Sequence, residues 1–292
     1  MGHPLVFIPC RELWEGFNPK GFEEGLFVLL RGYIDESYGA DQNIFALSCI
    51  LARGKDWYEM ERRWKLQINA KNRFLEKRGR KTISRYHASD CSGRRHEFKG
   101  WTHDERDEFV LSLFHLFKAF PCHTVAIEMQ LTDLCEVFPE WAGDRLRAGY
   151  HVFTQFVMHH IAEDIRRMDS GGRSKVTLFH DRTGGNGEYD PTILRAFNLM
   201  LGFKNFDGQD YFTTITPLTW RDSVALQPAD LVAFECFKQA EAQLAARAAR
   251  KSFTALLDME AFGIHLMGFR KDAMVDWRKK IEANRNVGLL SE

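Results

Sequence analysis

Acidic side chains that could bind a metal ion follow three predicted elements of this sequence. Asp35 and Glu36 close a run of apolar residues, and Asp181 directly follows a second such run. Asp230 lies further on, in a segment with helical periodicity. Hard cations such as Mg²⁺ prefer oxygen ligands, and two ions about 3.5–4 Å apart can drive phosphodiester cleavage. The acids therefore predict an Mg²⁺ or Mn²⁺ site for phosphodiester hydrolysis; the alternative is that they cap strand ends and form ion pairs.

The first acidic pair is expected on a strand. Residues 25–35 are rich in apolar, β-favouring side chains, which is typical of a half-buried strand. Because neighbours on a strand point to opposite faces, Asp35 and Glu36 cannot both be solvated. A buried acid is costly unless a cation or a hydrogen-bond donor compensates it, so this pair is a candidate metal site.

Asp230 is predicted to point toward the sheet. At about 100° per residue, it falls within about 40° of Leu226 on an apolar helical stripe. A negative charge near the helix start is favourable by about 0.3–1 kcal/mol, but an uncompensated buried carboxylate costs several kcal/mol. A divalent cation or a basic partner would offset the difference. The other members of the stripe are Ala229, Ala233, Phe237, Ala240 and Leu244.

The most basic stretch of the chain is residues 71–85, in which only Glu76 is acidic. One interpretation is a solvated helix end and loop. The other is a surface that contacts nucleic-acid phosphates. Its basic side chains are Lys71, Arg73, Lys77, Arg78, Arg80, Lys81 and Arg85.

The elements that must position these residues alternate between strands and helices. Two apolar runs joined by a short linker predict an antiparallel hairpin, and later strand–helix–strand units favour parallel pairing. We therefore expect an α/β fold, with a mixed central sheet flanked by helices. Thr102 and Glu105 match a capping box at the start of one helix. Strands are predicted at 25–35, 44–53, 124–129, 175–180 and 212–216, and helices at 57–68, from 103, 144–168, 191–202 and 228–250.

Domain organisation is predicted as one main unit with two appendages. Residues 1–24 carry Gly and Pro and are expected to form an arm. Residues 25–250 are expected to form the catalytic domain, and residues 251–292 a helical tail.

The composition of the chain limits the classes of function that it could have. The net charge is zero, so any nucleic-acid contact must come from a local patch. The six cysteines include no CxxC pair, which favours reduced thiols and a cytoplasmic location. No run of eighteen apolar residues is present, so no membrane association is expected.

Five short motifs resemble a bacterial family known as domain of unknown function 3800. The resemblance covers roughly residues 30–240, and its most specific parts are the first and the last motif. Members of that family resemble the ribonuclease H-like fold, in which acids from the first strand, a later strand and the last helix bind catalytic metals. The motifs are YIDES at 33–37, HASD at 87–90, FHDR at 179–182, RDS at 221–223 and LQPADLVA at 226–233.

The resemblance implies roles for individual residues. Asp35, Asp181 and Asp230 would bind the metals, with Glu36 as a further catalytic acid. The family often carries a glutamate before the second helix, whereas this sequence offers only His87 and Asp90 there. These two residues, with Asp222, Ser223 and Gln227, would be additional ligands or would surround the ligands.

Three function classes remain open at this stage. The first is a metal-dependent nuclease that acts on RNA or DNA, in a defence or mobile-element context. The second is a catalytically silent module of the same fold that binds nucleic acid or protein. The third is a phosphatase for a small phosphorylated substrate. A homo-oligomer or a partner protein is compatible with each of them.

Overall fold

A six-stranded mixed sheet forms the centre of the chain in the computed structural model, which describes residues 28–39, 43–168, 174–181, 191–203, 206–258 and 264–286. The spatial order of the strands is β5-β4-β1-β2-β3-β6. They are β1 (Val28–Gly39), β2 (Ile44–Arg53), β3 (His123–Gln130), β4 (Ser174–Asp181), β5 (Phe212–Leu218) and β6 (Ile264–Phe269).

The pairing confirms the expected mixed sheet. β2 is antiparallel to both β1 and β3, whereas β4 is parallel to β1, β5 is parallel to β4, and β6 is parallel to β3. All the described strands except β2 therefore run the same way. As a result, the C-terminal residues of β1 and of β4 lie at the same end of the strands.

Helices cover both faces, in an α/β/α arrangement with two buried cores. Along β2, Ile44, Ala46 and Ile50 enter one core, whereas Phe45 and Leu47 enter the other, as the two-residue period of a strand requires. Helices α1 (Gly54–Glu76), α2 (Ala88–Gly93), α3 (His103–Phe117), α7 (Leu226–Leu244) and α8 (Lys251–Leu257) contribute to the first core. Helices α4 (Leu131–Val137), α5 (Arg145–Met168), α6 (Thr192–Gly202) and α9 (Lys271–Asn286) lie on the second face.

Local sequence signals explain several helices. Thr102 and Glu105 form the predicted capping box, in which each side chain bonds to the other's backbone N–H. The predicted apolar stripe of α1 is buried, from Trp57 to Ile68. Among the described residues, no helix is both long and apolar enough to cross a membrane.

Several predicted boundaries are wrong. β1 does not end at Asp35 but continues to Gly39, because β2 pairs with it along that whole length. α7 ends at Leu244 rather than near Arg250. Ala246 adopts a positive φ of 49°, and the N–H of Arg247 bonds back to a carbonyl of the last turn, a common helix ending.

Two further differences concern the start of α6 and the tail. Pro191 precedes the first residue of α6 rather than occupying it. The tail is not helical throughout, because Ile264–Phe269 forms β6 at the edge of the sheet. A short apolar run of this kind does not distinguish strand from helix. The predicted arm, residues 1–24, lies outside the described residues.

Candidate active site

β1 and β4 place Asp35 and Asp181 on the same face of the sheet. Tyr33 and Phe179 are register partners, and their rings stack with centroids 5.1 Å apart. Asp35 and Asp181 lie two residues further along each strand, so they point to the same side as these rings. Since paired strands are about 4.8 Å apart, the two aspartates are neighbours on the face that α7 covers.

Ser48 connects this pair of aspartates to α7. It is the register partner of Asp35 on β2, and its hydroxyl donates a 2.8 Å hydrogen bond to the Ala229 carbonyl. Asp230 is the next residue of α7. Its Oδ2 accepts a 2.7 Å hydrogen bond from the backbone N–H of Ala88. Three elements thus bring their acids together.

Glu36 joins the site from the other side of β1. Its backbone N–H donates a 2.8 Å hydrogen bond to Asp35 Oδ1, and the hydroxyl of Tyr150 on α5 bonds to its carboxylate. Its Oε2 is buried and accepts no hydrogen bond from any described residue. A buried carboxylate oxygen without a partner is costly, and it is therefore a position that a cation would stabilise.

The carboxylates perturb one another strongly. Burial, and then the charge of Asp230, raise the pKa of Asp35 well above its usual range. Glu36 and Asp181 raise the pKa of Asp35 further. Burial and the charges of Asp181 and Asp230 raise the pKa of Glu36 to about 8. Without a cation, the cluster therefore retains protons at neutral pH.

Basic groups lie close to the carboxylate of Asp230. Burial raises its pKa to about 6, and the charge of Asp181 contributes to the rise. His87, the N–H of Ala88 and Arg85 lower its pKa. These groups therefore offset the burial of the Asp230 carboxylate only in part. They belong to the loop before α2 and to its first residue.

His87 and Asp90 form a pair at the start of α2. His87 Nδ1 lies 2.8 Å from Asp90 Oδ2, which fixes the imidazole ring. Asp90 Oδ1 also lies 3.6 Å from both Arg95 and His96. Asp90, which was expected among the metal-site residues, thus orients His87 in this structure.

Gln227 holds this loop in place. Its Oε1 accepts hydrogen bonds from Trp64 Nε1, at 3.0 Å, and from the backbone N–H of Tyr86, at 2.8 Å. Tyr86 directly precedes His87 in the chain. The described contacts therefore make Gln227 a positioning residue for His87 and Ala88.

Asp222 and Ser223 stabilise the turn before α7. Asp222 is exposed and accepts hydrogen bonds from the backbone N–H and the hydroxyl of Thr219, at 2.7 and 2.8 Å. Ser223 accepts from the N–H of Ala225 at 3.2 Å and donates to Glu61 at 3.3 Å. The side chain of Ser223 also bonds to that of Tyr33, so it links this turn to α1 and to β1.

The basic segment divides into two groups, and the first is engaged within the protein. Arg80 forms a 2.6 Å ion pair with Glu105. The Lys71 ammonium lies 4.5 Å from the centre of the Trp101 ring, and Arg78 lies 4.1 Å from that of Phe74.

The second group is Arg73, Lys77, Lys81 and Arg85. None of them forms an ion pair with a described residue, and the first three are exposed. Arg85 packs over the Trp220 ring with 4.4 Å to its centre. Lys81 and Arg85 line an open cleft of about 380 Å³. The other lining residues are Ser84, His87, Asp90, His96, Glu97 and Phe98. The cleft joins part of the predicted basic surface to His87, beside Asp230.

Sequence reasoning missed two side chains of this region. Tyr150 was not singled out, because no local pattern marks one tyrosine of α5 as a partner of Glu36. Trp220, whose ring packs against Arg85, was not singled out either. Its position directly before the RDS motif was the signal that could have identified it.

As the described side chains lie, no three His, Cys, Asp or Glu residues are close enough around one point to hold a metal ion. The carboxylates therefore lie near one another, but they do not converge on one point as the ligands of a bound ion would. The sequence matches no protein-family model, and a search of the curated proteins returns no relative.

Proposed function

We propose that this chain is a divalent-metal-dependent nuclease that hydrolyses phosphodiester bonds in RNA or DNA. The observation that carries the proposal is the gathering of Asp35, Glu36, Asp181 and Asp230 from β1, β4 and α7, in which burial and mutual repulsion raise the pKa values of Asp35, Glu36 and Asp230. Folding alone does not require such a concentration of acids, and it is unfavourable unless a cation occupies it.

The residues present fit Mg²⁺ or Mn²⁺. The donors of the cluster are carboxylate oxygens, the preferred ligands of hard cations, and Glu36 Oε2 is a buried oxygen without a described partner. Asp35, Asp181 and Asp230 would hold the ions. When bound, such ions activate water and stabilise the leaving oxygen of a phosphodiester. The side chains must shift slightly to close around an ion, because they do not converge as they lie.

The remaining groups supply orientation and substrate binding. The N–H of Ala88 fixes one oxygen of Asp230. With Nδ1 directed at Asp90, the Nε2 atom of His87 can hold or release a proton beside the acids. Lys81 and Arg85 in the adjoining cleft would bind backbone phosphates.

The order of the elements also supports the resemblance to the ribonuclease H-like family. The acids come from the first described strand, a later parallel strand and a helix that follows the strands of the resemblance region, which is the arrangement that the family implies. An antiparallel hairpin followed by parallel strands forms the sheet. We therefore propose that the chain has this fold.

Cleavage of end-labelled RNA and DNA, single- and double-stranded, with Mg²⁺ or Mn²⁺ tests the proposal. We expect cleavage that EDTA abolishes, and a loss of at least 100-fold in Asp35→Asn with the fold retained by circular dichroism. Asp210→Asn is the matched control, because Asp210 is exposed in the turn that precedes β5, at the opposite end of the parallel strands from Asp181. Cleavage that survives in Asp35→Asn would rule the assignment out.

A second candidate is a nucleic-acid-binding module that uses the acids structurally. The lack of three converging ligands among the described residues favours it, because protonated carboxyl groups could bond to one another. This module predicts that Mg²⁺ leaves the melting temperature unchanged and that nucleic acid binds without being cut. A melting temperature that rises with Mg²⁺ concentration would argue against it.

A further inference from the structure

A second group of metal-ligating side chains lies on the other face of the sheet. His123 begins β3 and His265 lies on the neighbouring strand β6. Val125, the register partner of His265, belongs to the core on the α5 side, so both histidines face α5. Asp35 faces the opposite layer and is separated from β3 by β2.

Asp164 on α5 lies between the two histidines. Its Oδ2 is 3.6 Å from His123 Nδ1 and 3.5 Å from His265 Nε2. Its Oδ1 is 3.9 Å from Arg167, a distance too long for a hydrogen bond. Tyr150, which contacts Glu36, is fourteen residues earlier on α5, about 21 Å along the helix axis. The histidine group is therefore separate from the carboxylate cluster.

Two atoms of this group lack hydrogen bonds although they are buried. Asp164 is 7% exposed, and neither its Oδ2 nor His123 Nδ1 has a hydrogen-bond partner among the described residues. A buried carboxylate oxygen normally accepts hydrogen bonds. Here it faces two imidazole nitrogens, at 3.6 and 3.5 Å, which is longer than an ordinary hydrogen bond.

We propose that His123 Nδ1, His265 Nε2 and Asp164 Oδ2 form a binding site for a transition-metal ion of the Zn²⁺ class. Metal–ligand bonds of about 2.0–2.2 Å in a tetrahedral site put neighbouring ligand atoms about 3.4 Å apart. Both observed separations are close to this value. Two imidazoles and one carboxylate suit Zn²⁺, Co²⁺ or Fe²⁺ better than Mg²⁺, which prefers oxygen ligands only.

The surroundings allow the site to fill. The side chains of His123 and His265 are 34% and 37% exposed, so an ion can enter from solvent and keep a water ligand. The His160 ring stacks on that of His265 with centroids 5.4 Å apart, which supports one face of the ligand ring. Since the three residues do not converge as they lie, the imidazole rings turn toward a common point when the ion binds.

The competing explanation is that protonated histidines form ion pairs with Asp164. Metal titration of the full chain separates the two explanations. In the Asp35→Asn background, which disables the carboxylate cluster, we expect one equivalent of Co²⁺ to bind with visible d–d bands and no thiolate charge-transfer band. Asp164→Asn and His265→Gln should each weaken Co²⁺ affinity at least 100-fold, whereas His103→Gln, at an exposed histidine, should leave it unchanged.

A second measurement does not depend on the folding of these variants. One equivalent of Zn²⁺ added to the ¹⁵N-histidine-labelled chain should shift one ring nitrogen each of two histidines, Nδ1 of one and Nε2 of the other. Absence of ring-nitrogen shifts, or Co²⁺ affinity within threefold of the starting value in folded Asp164→Asn, would overturn the proposal. Loss of nuclease activity in Asp35→Asn, with the Zn²⁺ shifts retained, would separate this site from the proposed catalytic one.

Discussion

The hydroxyl of Ser48 donates a 2.8 Å hydrogen bond to the carbonyl of Ala229. Ser48 is buried and pairs with Asp35, and Ala229 precedes Asp230. This bond therefore links α7 to the sheet beside Asp35, where the acids of β1 and α7 meet. The arrangement of the acids depends on sheet register and helix docking together.

Ser48→Ala tests that dependence. It leaves the Ala229 carbonyl without its side-chain donor and should lower the free energy of unfolding by about 1–3 kcal/mol. It should also weaken Mg²⁺ affinity, because Asp230 loses its fixed distance from Asp35. Urea unfolding and Mg²⁺-dependent melting would measure the two effects. Unchanged Mg²⁺ affinity with lowered stability would show that this bond serves the fold alone.

The raised pKa values predict an unusual dependence of stability on pH. Folded Glu36 and Asp230 have pKa values of about 8 and about 6, above those of unfolded carboxyl groups. The folded state therefore binds more protons between pH 4 and pH 8, and stability must fall as pH rises through this window.

Thermal unfolding at pH 5, 6.5 and 8 in EDTA should show this decline. Added Mg²⁺ should make it smaller, because the ion replaces the protons. Asp35→Asn should stabilise the metal-free protein at pH 8, since it removes one of the charges. A melting temperature that rises from pH 5 to pH 8 in EDTA would show that the folded carboxyl groups do not bind these extra protons.

Much of the fold follows from the sequence, for physical reasons. Apolar runs located β2 and β3, which are buried on both faces, and a helical apolar period located α1, which buries one face. The docking of Ala229 on Ser48 was not predictable, because it depends on a contact between residues 181 positions apart. β6 was missed because its strand character comes from pairing with β3 rather than from its own composition.

The candidate site was likewise predictable only in part. Asp35, Glu36 and Asp181 were identified from their place after apolar runs, and Asp230 from its place on an apolar helical stripe. The structure brings the four acids together. Gln227 and Asp90 were expected beside a metal, but they are found holding the loop and orienting His87. The type of a polar residue does not determine which partner it contacts in the fold, so these contacts could not be predicted from the sequence.

The two groups within the basic segment predict different effects on substrate binding. Arg85 lies in the cleft beside His87, whereas Arg78 lies over Phe74 and 3.7 Å from Glu105. Arg85→Ala should weaken nucleic-acid binding and reduce the slope of log K against log salt by about 1. Arg78→Ala is the matched control, because it removes the same charge outside the cleft. Fluorescence anisotropy at several salt concentrations distinguishes them, and equal losses would favour diffuse attraction over a defined phosphate contact.

His87 and Asp90 give a prediction about catalysis rather than binding. Asp90 fixes the ring of His87 through Nδ1 at 2.8 Å, so Asp90→Asn should leave the ring free to take the wrong tautomer or orientation. We expect kcat to fall about 10- to 100-fold with little change in KM, because the cations of the cleft remain. His87→Gln should cause a loss of similar size. The double variant should be no worse than His87→Gln alone, since Asp90 acts through that ring. Additive losses would instead place Asp90 in direct contact with the metal or the substrate, as the resemblance first implied.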